Sequence, residues 1–188
     1  MRSIYESLSG NLKFSFSRIK LIVMDFDGTF TDNTIVHHAD GTEAVVRSKY
    51  DSMGIDLLKE AGVYDKSNYE NNGHKLDILI MSKEANPVVI SVAQKVKIKC
   101  LPKLDTKIHT FKEEIKRRGL DSSQVLYMGN DINDIACIQE AGLGVAVNDA
   151  AEQVKAVADY VTTHKGGKGA FREVCELILY AQNKHPYS

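Results

Sequence analysis

Two aspartates one residue apart, Asp25 and Asp27, close the apolar run LIVM, and Gly28 and Thr29 follow at once. A carboxylate is costly to bury unless it is paired or bound to a metal, so this pair belongs where a strand emerges from the core. Gly28 lets the chain turn sharply away. The chemistry open to such a pair is phosphoryl transfer. One carboxylate can attack phosphorus and form an acyl phosphate, which divides one hard step into two. A carboxylic acid two residues on can protonate the leaving alcohol and then activate water. The phosphoryl group is itself negative, so two carboxylates approach it only with a cation, and Mg2+ is the hard, oxygen-seeking choice. A helix cap plus a turn aspartate is the non-catalytic alternative for the same residues.

These residues need a scaffold, and the hydrophobic pattern describes one. The run ending at Asp25 reads as a strand buried on both faces, 78–81 as a second buried strand, and 98–101, 124–128, 143–147 and the short 160–161 as further strands. Helical spacing is expected over 51–61, 87–95, 106–118, 133–140 and 171–182, with Pro87 in a first turn and Gly62, Gly119 and Gly142 as stops. Asp149 and Glu152 have capping-box spacing for a further helix to about residue 158. Strands alternating with helices predict an α/β class: a doubly wound, Rossmann-like parallel sheet with helices on both faces. The exception is 34–47, where two β-rich runs flank Ala39-Asp40-Gly41 and read as a hairpin flap. Residues 1–18 read as a polar, irregular lead-in, and 64–75, with its Asn-Gly, as a surface loop.

At 188 residues the chain is expected to form a single domain, 1–188. A net charge of -1 gives no field that would gather nucleic acid or an anionic membrane. No apolar run approaches membrane-span length, and no apolar leader opens the chain. Cys100, Cys137 and Cys175 are odd in number and lack metal-ligand spacing, so they read as reduced thiols in a cytoplasmic protein.

The motif DFDGT, in this strand-loop context, resembles the haloacid dehalogenase superfamily of phosphohydrolases. The resemblance makes Asp25 the nucleophile and Asp27 the acid/base. It assigns Ser82, in ILIMSKE, to hydrogen-bond the phosphoryl group, although a helix N-cap is the competing role for that serine. Lys107, in LDTKIHTF, becomes the lysine that neutralises phosphate and nucleophile. The fourth motif, GNDINDIACIQEAG, supplies Asn130, Asp131 and Asp134, with Asp131 and Asp134 three apart on one helical face near the metal. Here the chain departs from the family, which usually has an acidic magnesium ligand directly after that glycine. Either the Asn130 amide oxygen binds Mg2+ more weakly, or Asp131 takes over. The expected ligand set is Asp25, the Asp27 carbonyl and one of those two.

Over residues 20–180 the similarity narrows to nearly capless sugar-acid phosphatases, acting on 3-deoxy-manno-octulosonate 8-phosphate or acylneuraminate 9-phosphate, and the related module of some sialic acid cytidylyltransferases. DFDGTFTDN, DSMGIDLLKEAGV, SKEANPVV and HKGGKGAFRE carry it. SKE and MGI look nearer to the acylneuraminate group, while Tyr50 stands where octulosonate enzymes usually carry Arg or Lys. The resemblance implies a homotetramer in which hairpins meet and a neighbour helps close each site. The resemblance places the HKGGKG loop beside the active site, where Lys165, Lys168 or, just beyond it, Arg172 would hold the substrate carboxylate; a plain loop and helix start is the equal alternative. The competing function is a weakened module serving oligomerisation, which Asn130 favours and intact Asp25, Asp27, Ser82 and Lys107 oppose. His37 and His38 are adjacent on a strand and point to opposite faces, so they do not share a metal. KVKIK at 95–99 alternates and reads as a solvated strand edge.

Overall fold

Two short helices, α1 (Arg2–Ser7) and α2 (Gly10–Arg18), lead into β1 (Leu21–Met24), followed by the hairpin strands β2 (Ile35–His37) and β3 (Glu43–Val45). After α3 (Lys49–Glu60) come β4 (Asp77–Met81), α4 (Pro87–Val96), β5 (Lys99–Leu101) and α5 (Lys107–Arg117). The chain continues through β6 (Val125–Gly129), a 3-10 turn (Ile132–Asp134), α6 (Ile135–Glu140) and β7 (Leu143–Ala146). It ends with α7 (Glu152–Lys155), β8 (Tyr160–Val161) and α8 (Ala170–Ala181). This computed structural model describes residues 1–66, 76–84 and 86–187.

The strands form a parallel sheet in the order β5-β4-β1-β6-β7-β8. β1, β4, β6 and β7 are buried at every position, as strands covered by helices on both faces require. From β1 the chain first moves to β4 and β5, then crosses back to β6 on β1's other side. That reversal opens a crevice at the carboxyl end of β1, where α/β sheets of this kind bind ligands. β2 and β3 form a separate antiparallel pair, with β2 exposed throughout.

Four sequence expectations about the scaffold need correction. Residues 1–18 are not irregular. Ser9 caps α2 through the N–H of Leu12, Phe16 is fully buried, and Tyr5 stacks on Tyr180 of α8. The spacing Tyr5, Leu8, Leu12, Phe16 is the helical signal, cut by a break too short for a periodicity window. With α3 packed along it, the added covering by α1 and α2 buries α8 along nearly its whole length. Second, Asp149 caps nothing: α7 is one turn from Glu152 with Ala151 at its N-cap, and the Asp149 carboxylate instead accepts the N–H of Gly166. Third, Tyr64 is buried and donates to the Lys97 carbonyl, so the proposed surface loop starts later; its remainder from 67 to 75 lies outside the described residues. KVKIK likewise spans the end of α4, a left-handed Lys97 and the first residue of the edge strand β5.

The N-terminus of α8 has no cap of its own, because Gly169 occupies that position. Asp51 of α3 supplies it: one carboxylate oxygen accepts the N–H of Gly169 and the other that of Arg172, each at 3.1 Å. Asp51 is fully buried, and that burial pushes its carboxyl above the usual range while the backbone donors oppose the shift. Asp51→Ala strands two buried donors and is expected to cost about 2–3 kcal/mol in urea unfolding. Asp51→Asn keeps an acceptor and is expected to cost less; equal losses in both variants would contradict the cap.

Candidate active site

Asp25 is still part of the sheet. Its N–H donates to the Met128 carbonyl at 3.0 Å, so the strand register fixes where its carboxylate begins. The carboxylate accepts the N–H of Phe26 at 2.7 Å. Beyond it the chain folds into a tight turn in which Phe30 and Thr31 both donate to the Phe26 carbonyl. Gly28 has φ 76, the left-handed conformation that L side chains resist. The Thr31 hydroxyl accepts the Gly28 N–H at 3.2 Å and closes the turn.

Lys107, the first residue of α5, reaches Asp25 from below the cleft. Its ammonium lies 2.8 Å from an Asp25 oxygen and 2.8 Å from an Asp134 oxygen, with a side chain only 1% exposed. Asp134 is held in turn by the Tyr127 hydroxyl at 2.8 Å and the N–H of Asn130 at 3.0 Å. Burial, then the Asp134 charge, push the Asp25 carboxyl up to about 7, with Lys107 acting in the opposite sense. Burial presses the Lys107 ammonium down, but the two carboxylates outweigh it and its pKa is raised. Asp27 is half-buried; that burial and the nearby Glu84 carboxylate raise its pKa.

A cleft of about 110 Å³ brings Asp25, Asp27, Ser82, Asn130 and Asp131 together, with Glu84 on its wall. Ser82 follows β4 and its hydroxyl accepts the N–H of Glu84 at 3.0 Å, which leaves its own hydrogen to donate. It is not the cap of α4, since Asn86 fills that role through the Val88 N–H. Asn130 follows β6, and its side-chain oxygen accepts from the Thr29 hydroxyl at 3.3 Å.

Other expectations for the site residues are not met. Asp131 and Asp134 do not share a face: Asp131 is the extended residue that caps the 3-10 turn through Ile132, while Asp134 turns inward behind Lys107. Lys168 is largely exposed and 3.8 Å from Asp32. Arg172 pairs with Glu176 at 2.6 Å and stacks over the Tyr50 ring, outside the cleft lining. Sequence reasoning missed Tyr127, Glu84 and Asn33, which also lines the cleft. Tyr127 reads as an ordinary strand aromatic. Asn33, left-handed with φ 63, belongs to a residue type that tolerates that conformation, the one signal available.

The profile of the haloacid dehalogenase-like hydrolases matches residues 59–173. The chain belongs to that family. It is 30% identical over 168 residues to the 3-deoxy-D-manno-octulosonate 8-phosphate phosphatase of Haemophilus influenzae, covering 88% of this chain and 86% of that one. A hydrolase structure of the superfamily from Legionella pneumophila superposes with a TM-score of 0.84 at 31% identity, covering 98% of this chain and 93% of that one. The 3-deoxy-D-manno-octulosonate 8-phosphate phosphatase of Moraxella catarrhalis, solved with a magnesium ion, a phosphate ion and the KDO molecule, gives 0.81 at 32% identity, covering 100% and 96%. The parallel doubly wound sheet is that of these hydrolases, and the relatives with a named activity are phosphomonoesterases.

Lys107 is the buried cation that pairs with both Asp25 and Asp134 and opposes the upward shift of Asp25. An acid whose folded pKa is raised binds more protons folded than unfolded, so its contribution to stability falls as pH rises from about 4 towards the folded value. Without Lys107 that fall continues to higher pH. In magnesium-free buffer, Lys107→Met is therefore expected to lose about 3–5 kcal/mol at pH 8 and distinctly less at pH 5. A loss independent of pH in urea unfolding would contradict the pairing.

Proposed function

We propose that the chain is a Mg2+-dependent phosphatase that hydrolyses a sugar-acid phosphate through a phosphorylated Asp25. The observation that carries this reading is the convergence of Asp25, Asp27 and Ser82 on one cleft, with Lys107 fixing Asp25 from behind. The Asp25 carboxylate attacks phosphorus while the ester P–O bond breaks, and Asp27 gives its proton to the departing alcohol oxygen. Asp27 then takes a proton from water, whose oxygen attacks phosphorus and releases phosphate and the free Asp25 carboxylate. The raised pKa of Asp27 suits a group that begins protonated. The Ser82 hydroxyl has a hydrogen to donate to a phosphoryl oxygen, and Lys107 offsets its charge.

The donor set fits magnesium. Among the described residues no three carboxylate, histidine or cysteine side chains form a metal cage. The cleft nevertheless offers hard oxygens, from Asp25, Asp27, Asn130 and Asp131, and Mg2+ is held by one or two carboxylates with neutral oxygens and water. Asp25, Asp27, Asp131 and Glu84 line it with Asp134 behind, against the exposed Lys83 on the lining and the buried Lys107, so carboxylates outnumber cations at the site. A bound Mg2+ supplies the positive charge that lets a phosphoryl group approach Asp25.

The octulosonate phosphatases among the relatives support an eight-carbon sugar-acid phosphate; acylneuraminate 9-phosphate is the neighbouring alternative. We place the enzyme in the cytoplasm: Cys100, Cys137 and Cys175 are free, and no helix among the described residues is long and apolar enough to cross a membrane. The exposed Ile35, Val36 and Val46 of the hairpin support assembly into a homotetramer through that flap, which a monomer in light scattering would contradict.

A magnesium titration of phosphatase activity on both sugar-acid phosphates tests the reading. Asp25→Asn is expected to lose activity on the order of 10³-fold or more. Asn130→Asp is expected to need less Mg2+ for half-maximal rate, by about 1–3 kcal/mol for one added charge-assisted contact. If Asp131 is the ligand instead, Asn130→Asp gains nothing and Asp131→Asn loses the magnesium response. Parental activity in Asp25→Asn would overturn the mechanism, and a parent that turns over neither substrate at any Mg2+ concentration would favour an oligomerisation module.

A further inference from the structure

The connection from β8 to α8 touches the Asp27 turn at a distance no side chain would permit. Gly166 lies directly on Gly28: a methyl group at Gly166 would overlap the Gly28 carbonyl oxygen and lie 2.7 Å from its carbon. A methyl group at Gly167 would overlap the Thr31 carbonyl carbon and lie 2.7 Å from its oxygen. Two hydrogen bonds hold the contact. The Gly167 N–H donates to the Thr29 carbonyl at 3.0 Å, and the Gly166 N–H donates to Asp149, in the β7–α7 connection, at 2.9 Å. On its other side Gly28 meets Asn130, whose side-chain carbon would be 2.8 Å from a Cβ at Gly28. The turn after Asp27 is thus clamped between Gly166–Gly167 and Asn130.

The two glycines have different reasons for being glycine. Gly167 has φ 60 and needs its freedom for the turn. Gly166 is not among the residues of positive φ, so its backbone would accept alanine; only the contact with Gly28 excludes a side chain. The clamp also acts unequally on the two aspartates. Asp25 is anchored by its ladder bond to Met128 and by Lys107. Asp27 belongs to the turn itself and takes its place from it.

We infer that Gly166 and Gly167, braced by Asp149, are positioning residues that set where the Asp27 carboxyl meets the leaving oxygen, acting through the backbone of residues 28–31. This rests on Asp27 being the acid of the proposed phosphatase. The value of kcat/KM covers steps only as far as loss of the alcohol. An alkyl phosphate, such as a sugar phosphate, needs a proton in that step, whereas p-nitrophenyl phosphate loses a stable phenolate without one.

Gly166→Ala displaces the turn backbone and lowers the melting temperature, and it is expected to lower kcat/KM for the sugar phosphate about tenfold or more beyond its effect on p-nitrophenyl phosphate. Asp149→Ala, which removes the brace without adding bulk, gives a smaller split in the same direction, and Asp149→Asn, which keeps an acceptor, restores the parental ratio. If Gly166→Ala does not fold, the Asp149 pair decides. Equal losses on both substrates, or no loss on either, would overturn the inference. Asp27→Asn separates the two levels: a split there with none at Gly166 or Asp149 removes only the positioning role, while no split at Asp27 removes the acid assignment on which it rests.

Discussion

The ammonium of Lys107 lies between two buried carboxylates, Asp25 at the end of β1 and Asp134 after β6. Burying a carboxylate without a partner is costly, and two so close repel each other. One cation at 2.8 Å from both makes the arrangement tolerable and ties α5 to the two central strands. Tyr127 and the Asn130 N–H complete the shell of Asp134, so Lys107 is held on the side away from the cleft and presents Asp25 towards it. In the proposed mechanism, removing the lysine would affect stability and chemistry together, because the same charge would serve both.

The site's remaining charge balance explains why a fold this small still requires a cation from outside. The cleft is walled by carboxylates, and its phosphorylated substrate would add more negative charge. The neutral Asn130 relieves some of that repulsion in the empty site. In the proposed metal site the same neutrality would weaken the attraction for a divalent ion. The amide stays close to Gly28 and Thr29, and it therefore also shapes the turn.

Much of this was legible from short-range pattern. LIVM, ILIM and VLYM are apolar on both faces, which marks central strands, and the polar residues that follow each, Asp25, Ser82 and Asn130, must emerge at one end of a parallel sheet. Lys107 was found by its place at a helix start, not by anything that distinguishes it from other lysines. What escaped depends on contacts that no local period encodes. Asp51 caps a helix 118 residues away, and Gly166 fits against Gly28 across most of the chain. Asp149 had the spacing of a capping box, but the N–H of Gly166 was the donor that reached it. The helices before β1 were missed because each is too short for its apolar face to register.

The proposed phosphorylation of Asp25 is the point on which site, metal and mechanism converge. Rapid acid quenching during turnover of a sugar-acid phosphate with Mg2+, followed by peptide mass spectrometry, reads it directly. The expected result is a phosphoryl group on the peptide that contains Asp25, formed within one turnover and discharged when substrate is exhausted. A protein that turns over its substrate while that peptide stays unmodified, or carries the group at another residue, would contradict it.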